Sequence, residues 1–262
     1  MSASETAERP VLWHIPVSHY SEKVRWALDY KRVDHRRRAA PPPAHMAVAY
    51  TLTRGRSYTL PLLRIDGEVI GDSTAIIAAL ERAHPEPPLY PSDPAERRRA
   101  LELEDFFDEE LGPHARLLGF HELRSDPDGM AHIASQMIPG GLGDNERVAG
   151  AAGRMARSFA AVRYGTDSEV DADVARKRIV AALDRLESEL DAGAGDYLVG
   201  DSFTVADLTG ASLLYPLVRP PEAFSLPDPP PRYEEFLAPL QKRRGFAWVR
   251  EMFARHRTPA TA

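Results

Sequence analysis

The spacing of apolar residues changes near residue 84 of this 262-residue chain. Before that point, short apolar runs typical of strands alternate with apolar residues at helical spacing. From Ala95 onward every clear pattern is helical. The elements predicted for the first part are, in chain order, a strand over Val11–Ile15, a helix ending near Tyr30, a weak strand over Val33–Ala39, a short helix over Ala44–Thr53, a hairpin over Leu62–Ile70 and a helix over Ser73–Ala83.

A proline-rich stretch separates the two parts. Residues His84–Pro94 hold five prolines in eleven positions, a composition typical of an irregular linker. In the second part, apolar spacing predicts one helix through Leu101–Leu111 and a long helix that begins near Ser168. The domains expected from these patterns are a disordered tail over residues 1–10, an α/β domain over 11–83, the linker over 84–94 and an all-helical domain over 95–262.

A capping signal marks one further helix. Thr204 is a good N-cap residue, and Asp207 is placed three residues later to complete a capping box. Because the residue before a proline disfavours helical conformation, we expect this helix to stop near Tyr215, before Pro216.

Composition and charge exclude several classes of protein. The net charge is −6, and the basic runs Arg36–Arg38 and Arg97–Arg99 are too short for the extended basic face that binds nucleic acid. No stretch approaches the roughly 20 apolar residues of a membrane span. Residues Met1–Pro10 lack the apolar core of a secretory signal. We therefore expect a cytoplasmic protein without a nucleic acid or membrane partner.

The absence of cysteine excludes any disulfide, thiolate metal site or cysteine nucleophile. Thiol chemistry in this protein must therefore act on a thiol that arrives with a ligand. His114, His121 and His132 lack the tight spacing of a metal site, so we expect no metal.

The strongest chemical signal is the segment Pro16–Leu28, which follows the first apolar run. A strand that feeds a helix through a hydroxyl-rich turn brings side-chain O–H groups to the unpaired backbone N–H groups of the first helical turn. Those donors, together with the positive end of the helix dipole, suit a thiolate or a carboxylate.

Four separated motifs resemble the glutathione transferase superfamily. They are Ser18-x-x-Ser21-x-Lys23-Val24-Arg25, Leu60-Pro61, Asp72-Ser73 and Gly200-Asp201-Ser202-Phe203-Thr204-x-x-Asp207. The resemblance covers about residues 11–255 and implies an α/β plus all-α fold, with a thioredoxin-like βαβαββα domain followed by a helical-bundle domain. It also implies bound glutathione, or another low-molecular-weight thiol, and a homodimer.

The resemblance assigns the thiol ligand to three places. At Leu60–Pro61 this superfamily has a cis proline, and Leu60 would offer its backbone N–H and C=O to the ligand as one added strand; the alternative is a trans proline that only begins a strand. Asp72 and Ser73 resemble the pair that holds a γ-glutamyl end, and either residue also suits a helix cap. Arg54 and Arg56 are candidates for a glycyl carboxylate.

Three residues are candidates for contact with the sulfur or with its acceptor. Ser18 resembles the hydroxyl that stabilises the thiolate in serine-type members, and it equally suits an ordinary N-cap. His14 falls where tyrosine-type members keep their tyrosine, either as a base or as a buried structural histidine. Tyr20 lies on the first helical turn, where it also suits packing against Val24. We predict Ser18 as catalytic, and His14 and Tyr20 as substrate-binding.

The stretch over residues 122–165 is longer than the usual connection between the first two helices of the helical domain in this superfamily. Its apolar residues either cover a large acceptor pocket or form the core of an extra helix pair. They are Ile133, Met137, Ile138, Met155 and Phe159.

Two function classes follow from the resemblance. The first is an enzyme in which Ser18 keeps a bound thiol as thiolate for attack on a small electrophilic, largely apolar substrate, in conjugation or thiol-assisted isomerisation. The second is a non-catalytic binding or assembly module with the same fold. Disulfide reduction through an enzyme cysteine is excluded by the composition.

Overall fold

The structure is a computed structural model that describes residues 8–40, 44–138, 141–193 and 195–257. Its first part contains, in chain order, β1 (Val11–His14), α1 (His19–Tyr30), β2 (Arg36–Ala39), α2 (Ala44–Leu52), β3 (Leu62–Ile65), β4 (Glu68–Gly71) and α3 (Ser73–Ala83). This order is the predicted one, so the thioredoxin-like class is confirmed. Most of the predicted tail over residues 1–10 lies outside the described residues, and the exact domain limits stay predictions.

The four strands form one sheet in the order β2-β1-β3-β4, with β1 parallel to β2 and antiparallel to β3. Successive residues of a strand point to opposite faces, so β1 contributes to two cores. Leu12 packs on the side of α1 and α3, whereas Val11 and Trp13 pack on the side of α2. The weak second strand forms an edge of the sheet, where the mostly exposed arginines Arg36–Arg38 discourage pairing with another chain.

In the described residues of the second part, all regular secondary structure is helical. It contains α4 (Pro94–Phe106), a π-helical turn (Phe107–Leu111), α5 (Gly112–Leu123), α6 (Pro127–Met137), a 3₁₀ turn (Leu142–Asp144), α7 (Glu146–Tyr164), α8 (Glu169–Ala192), α9 (Val205–Val218), α10 (Pro231–Leu240) and α11 (Arg244–His256). Helix α9 packs against α1, α4, α5 and α11, and is buried on nearly all sides. No described helix is long and apolar enough to span a membrane.

The single helix predicted through Leu101–Leu111 is interrupted, which corrects the sequence analysis. Helix α4 ends at Phe106, and the π-helical turn then leads into α5. Pro113 accounts for the interruption, because it has no N–H and its ring crowds the preceding turn. The chain widens there, and the N–H of Gly112 donates to the carbonyl of Phe107, five residues earlier.

The prediction that α9 stops near Tyr215 is wrong. The helix continues through Pro216 to Val218 and ends at Arg219, whose φ is 57°. A proline this close to the end removes one backbone donor but leaves the rest of the last turn intact. Because the side chains of Tyr215, Leu217 and Val218 are buried in the core, tertiary packing outweighs the local preference.

The other two helix signals are confirmed. The side chain of Ser168 caps the start of α8, and Thr204 and Asp207 form a capping box at the start of α9. The Asp207 carboxylate also accepts from the N–H of Leu198 at 2.8 Å. Burial raises the pKa of Asp207 to about 6. The capping box thus ties the preceding loop to the central helix.

A buried cluster of charges joins the two parts of the chain. The Lys23 Nζ of α1 lies 2.9 Å from Glu104 Oε1 and 3.0 Å from Asp108 Oδ1, and it donates to the Thr74 hydroxyl at 3.1 Å. The side chains of Lys23 and Glu104 are both 0% exposed. Desolvation raises the pKa of Glu104 in spite of the nearby ammonium group. This cluster fixes the beginning of α3 against α4 and the π-helical turn.

Replacing Lys23 tests the importance of this cluster. The variant Lys23→Met leaves the carboxylates of Glu104 and Asp108 without their cation, so we expect a loss of unfolding free energy of about 3 kcal/mol or more in urea denaturation. The double variant Lys23→Met/Glu104→Gln removes the most deeply buried uncompensated charge and should recover part of that loss. If Lys23→Met is as stable as the unmodified chain, this account of the cluster is wrong.

Candidate functional site

Two adjoining hollows lie where the sheet meets the helical part. We call the first the polar cleft; it lies between the start of α3 and the end of α4, and its wall includes Pro61, Asp72, Ser73, Asp105, Asp108 and Glu109. We call the second the apolar cavity; its wall includes Ile15, Val17, Met130, Ile133, Met137 and Phe159. Four residues belong to both walls, namely Tyr20, Thr59, Leu60 and Arg116. A ligand in one hollow is therefore next to a ligand in the other.

Ser18 lies at the start of α1, on the wall of the apolar cavity. Its backbone is extended, and its Oγ accepts from the N–H of Ser21 at 3.3 Å, which is the geometry of an N-cap. A hydroxyl has one donor and two acceptor positions, so this contact leaves the Ser18 O–H free to donate to a ligand. The cap reading is confirmed, and the catalytic role stays a prediction.

Asp72 and Ser73 lie together on the wall of the polar cleft, at the start of α3. The Asp72 carboxylate caps the helix by accepting from the N–H groups of Thr74 at 2.9 Å and Ala75 at 3.1 Å. The φ of Asp72 is 70°, a conformation that non-glycine residues adopt only where the surroundings hold them in it. The capping role therefore leaves the binding role open.

The Leu60–Pro61 peptide bond is cis, as predicted. It lies directly before β3, and Leu60 lines both hollows while Pro61 lines the polar cleft. The structure thus places Leu60, Pro61, Asp72 and Ser73 around one cleft, although they come from two separate segments of the chain.

An acidic wall faces the start of α3 across the polar cleft, and the sequence analysis did not identify it. Asp105, Asp108 and Glu109 come from the end of α4 and from the π-helical turn. The acidic run around these positions was a signal in the sequence, but it resembled an ordinary solvated helix face. Together with the N–H groups at the start of α3, these carboxylates suit a group that carries both an ammonium and a carboxylate.

Tyr20 connects the first turn of α1 to the π-helical turn. Its hydroxyl donates to the backbone carbonyl of Asp108 at 2.9 Å. That carbonyl lies five residues before Pro113, which has no N–H to offer it, so the phenol replaces the missing helical donor. Burial, with a further contribution from the charge of Asp108, raises the pKa of Tyr20. The phenol is therefore neutral, with its proton already engaged, and suits contact with a ligand better than activation of a thiol.

His14 is a buried structural residue and is not among the residues that line either hollow. Its Nδ1 accepts from Arg25 Nη1 at 2.9 Å. Burial, followed by the charge of Arg25, lowers the pKa of His14 to about 3. A neutral imidazole that accepts a hydrogen bond from Arg25 supports the expectation of a buried structural histidine. The predicted contact of His14 with a substrate has no support in this geometry, because His14 lines neither hollow.

Arg56 and Arg54 also lie apart from both walls. Both side chains are exposed, and Arg56 Nε donates to the carbonyl of Thr53 at 3.0 Å. A role for Arg56 with a glycyl carboxylate stays a prediction.

Two further polar residues on the wall of the apolar cavity were missed by the sequence analysis. Arg116 of α5 lies with its Cζ 4.4 Å from the ring centroid of Tyr164 and 5.7 Å from that of Tyr20. His45 of α2 packs edge-on against the ring of Phe159, with 5.4 Å between centroids. Burial lowers the pKa of His45. Each lies on a helix remote in sequence from α1, and no local motif surrounds it.

The segment over residues 122–165 serves both purposes that the sequence left open. Helices α6 and α7 pack against each other as an extra pair. The side chains of Ile133, Met137 and Phe159 also line the cavity. Ile138 is half-buried, whereas Met155 is 49% exposed and contributes to neither. Neither expectation therefore holds for Met155, whose side chain belongs neither to the cavity wall nor to the apolar cluster of the helix pair.

The histidines of the helical part do not form a metal site. Within the described ranges, no group of three or more His, Asp or Glu side chains is arranged to hold a metal ion. His121 Nδ1 instead donates to the carbonyl of Thr166 at 2.8 Å.

Comparison with known families agrees with this architecture. The family model for the glutathione S-transferase N-terminal domain matches residues 12–88, and that for the C-terminal domain matches residues 145–238. Together they match more than half of the chain, which belongs to the glutathione S-transferase superfamily. The expected resemblance is confirmed.

Individual relatives include several isomerases. The chain is 28% identical over 208 residues to a probable maleylacetoacetate isomerase of Caenorhabditis elegans, which covers 79% of this chain and 78% of the relative. A glutathione S-transferase structure from Rhodospirillum rubrum F11 is similar with a TM-score of 0.57 and 22% identity, over 92% of this chain and 91% of that one. A maleylacetoacetate isomerase structure from Anaeromyxobacter dehalogenans 2CP-1, with dicarboxyethyl glutathione and citrate in its active site, has a TM-score of 0.52 and 22% identity, over 97% and 98% of the two chains. The two structures share the fold with this chain.

The close approach of Tyr20 to Gly112 yields a test of the site geometry. A Cβ at Gly112 would lie 2.2 Å from the Tyr20 hydroxyl oxygen, so Gly112→Ala should displace the phenol. We expect a loss of about 1–3 kcal/mol in unfolding free energy by urea denaturation. Gly119, on the same helix, has no heavy atom within 4 Å of such a Cβ. Gly119→Ala should therefore be neutral or stabilising by up to about 1 kcal/mol. Similar effects of the two variants contradict the proposed close contact.

Proposed function

We propose that this chain is a glutathione-dependent transferase or isomerase. The thiol tripeptide occupies the polar cleft, and a small, largely apolar electrophile occupies the apolar cavity. The thiolate attacks the electrophile where the two walls meet. The observation that carries this proposal is the wall shared by the two hollows, together with the position of Ser18 on the wall of the apolar cavity.

The polar cleft has the charge pattern that a γ-glutamyl group requires. The Ser73 hydroxyl and the N–H groups at the start of α3 take the α-carboxylate of the ligand, since a helix N-terminus favours negative charge. Its ammonium group lies toward the carboxylates of Asp72, Asp105 and Asp108. The backbone of Leu60 pairs with the peptide backbone of the ligand as a short added strand.

Ser18 keeps the bound thiol as thiolate. Its O–H donates to the sulfur, which stabilises the charged form over the thiol, and the positive end of the α1 dipole acts in the same direction. The oxygen continues to accept from Ser21 in this arrangement. Because the chain has no cysteine, the only sulfur nucleophile is the one that the ligand supplies.

The same attack leads to two outcomes. Conjugation retains the new S–C bond, whereas isomerisation releases the thiol after rotation about a bond of the adduct. Relatives named maleylacetoacetate isomerase support the second outcome, and relatives named glutathione S-transferase support the first. The alternative of a non-catalytic module lacks comparable support, because a module of that kind needs no apolar cavity beside a thiol cleft.

Two properties of the proposal extend beyond the site. A cytoplasmic location fits an enzyme that depends on a reduced small thiol, since that compartment keeps thiols reduced. A homodimer follows from the family resemblance, and sedimentation velocity measures it directly.

Thermal denaturation with glutathione tests the proposal as a whole, and Ser18 tests its mechanism. At 100 times its Kd, glutathione should stabilise the protein by roughly 2.7 kcal/mol, and other cellular thiols are compared in parallel.

Ser18→Ala should lower the conjugation rate roughly 10- to 100-fold with little change in glutathione Kd, because a hydrogen bond to a charged group contributes about 1.5–3 kcal/mol.

The variant Ser18→Thr is the matched control, because it retains both the hydroxyl and the helix cap. It should keep most of the activity. If Ser18→Ala keeps full activity, Ser18 is only a helix cap. If none of the thiols stabilises the protein, the proposed function is wrong.

The γ-glutamyl site has its own test. Ser73→Ala removes a donor to the ligand carboxylate, and Asp72→Asn keeps the helix cap while removing the charge that faces the ammonium group. Each should raise the glutathione Kd by roughly tenfold in calorimetric titration. Asp93→Asn makes the same chemical change at the N-cap of α4 and is the control, because Asp93 is not on either wall. An unchanged Kd in both cleft variants contradicts this placement.

A further inference from the structure

Arg116 is a cation at the junction of the two hollows. It belongs to both the polar cleft and the apolar cavity, and it is carried by α5 opposite the first turn of α1. Of the residues common to both walls, it alone has a permanent charge. A group bound where the two hollows meet therefore lies next to the positive charge of Arg116.

Among the residues that the structure describes, no carboxylate pairs with Arg116. Other arginines of this chain are paired, as Arg25 is with Glu22 at 2.6 Å and Arg243 with Asp184 at 2.7 Å. Within the described ranges Arg116 forms no ion pair, and its Nε is buried without a hydrogen-bond partner. Leaving a buried donor unpaired is costly, so the Arg116 Nε–H is a donor that the oxygen atom of a bound ligand can satisfy.

Aromatic rings hold the guanidinium in place without engaging its N–H groups. The Cζ of Arg116 lies 4.4 Å from the centroid of Tyr164 and 5.7 Å from that of Tyr20, distances typical of cation–π contacts. Such contacts act on the face of the guanidinium and leave its in-plane donors available. Arg116 is therefore held in position and remains able to bind an oxygen atom.

Other unpaired polar atoms on the cavity wall indicate a ligand that carries oxygen. The Tyr233 hydroxyl and His45 Nδ1 are both buried without a hydrogen-bond partner, and both residues line the apolar cavity. A purely hydrocarbon acceptor leaves these groups, and Arg116 Nε, unsatisfied.

We propose that Arg116 is a catalytic residue that binds the oxygen on which negative charge develops when the thiolate adds to an alkene conjugated to a carbonyl group. This inference rests on the proposed function and assigns a residue to its reaction. The thiolate forms an S–C bond to the β-carbon, the π pair of the alkene becomes a double bond between the α-carbon and the carbonyl carbon, and the π pair of the carbonyl moves onto oxygen, giving an enolate. Arg116 donates to that oxygen from the junction of the two hollows.

The enolate then has two balanced fates. Rotation about the former double bond, followed by return of the electron pair, reforms the alkene and expels the thiolate, which isomerises the acceptor without any net proton transfer. Alternatively, water protonates the α-carbon, and the S–C bond remains in a conjugate. Arg116 stabilises the intermediate common to both.

The test compares two acceptors of similar length that differ in how charge develops. Oct-3-en-2-one forms an enolate, whereas 1-iodohexane loses iodide and develops no negative charge on oxygen. We expect Arg116→Gln to lower the ratio of kcat/KM for the enone to that for the iodide by roughly 100-fold, the usual effect of losing an oxyanion donor. Arg116→Lys should restore part of the ratio, because it restores a cationic donor. Arg98→Gln makes the same change on the exposed surface of α4 and should leave the ratio as it is in the unmodified chain.

The outcomes separate this inference from the proposed function. Equal losses for both acceptors, or an unchanged ratio, assign Arg116 a structural role and overturn the inference while the proposed function stands. If the unmodified chain transfers the thiol to neither acceptor, titration of the glutathione complex with heptanoate decides, because a carboxylate mimics the enolate oxygen. Heptanoate binding that weakens at least tenfold in Arg116→Gln supports the inference, and equal binding overturns it. Failure to bind any thiol removes the proposed function itself.

Discussion

The buried contact between Lys23 and Glu104 is the interaction on which the site depends. It holds α1 against α4 and, through Thr74, holds the start of α3 at the same point. Those elements carry Ser18, the Asp72–Ser73 pair and the acidic wall of the polar cleft. The charged groups of Lys23 and Glu104 are both buried, and separating them would leave each charge without its partner. The cluster therefore fixes the relative position of groups that are far apart in sequence. Its desolvation cost makes it a source of positional specificity more than of net stability.

The π-helical turn provides a second connection at the same point. His19 Nε2 donates to the carbonyl of Gly112 at 2.9 Å, and the Tyr20 hydroxyl donates to that of Asp108 at the same distance. The Asp108 carbonyl is available because Pro113, five residues later, has no N–H to donate to it. A local irregularity in the backbone thus supplies one of the two acceptors for the first turn of α1. The helix that begins at Ser18 is therefore positioned by backbone groups of the helical part.

The order of strands and helices followed from apolar periodicity, and the four family motifs correctly indicated the fold and the cis Leu60–Pro61 bond. Other features depended on contacts that no local pattern encodes. The apolar spacing through Leu101–Leu111 continues smoothly across the π-helical turn, so the turn was not apparent. Burial of Tyr215 and its neighbours outweighed the local effect of Pro216 on α9. Arg116 and His45 were missed because a polar residue on a helix ordinarily faces solvent, and only tertiary packing brings these two to one cavity.

The two hollows are built from different kinds of structure, and this difference matches the demands of the chemistry. The polar cleft is made of helix ends and backbone groups fixed by buried charges, which suits recognition of one constant thiol. Part of the wall of the apolar cavity comes from α6 and α7, whose apolar side chains belong to a small cluster separate from the main core. That cluster includes Met130 and Met137, and methionine adapts to irregular shapes more readily than branched side chains do. Arg116 lies where the polar cleft meets the apolar cavity, and under the proposed function its charge orients acceptors whose apolar parts differ.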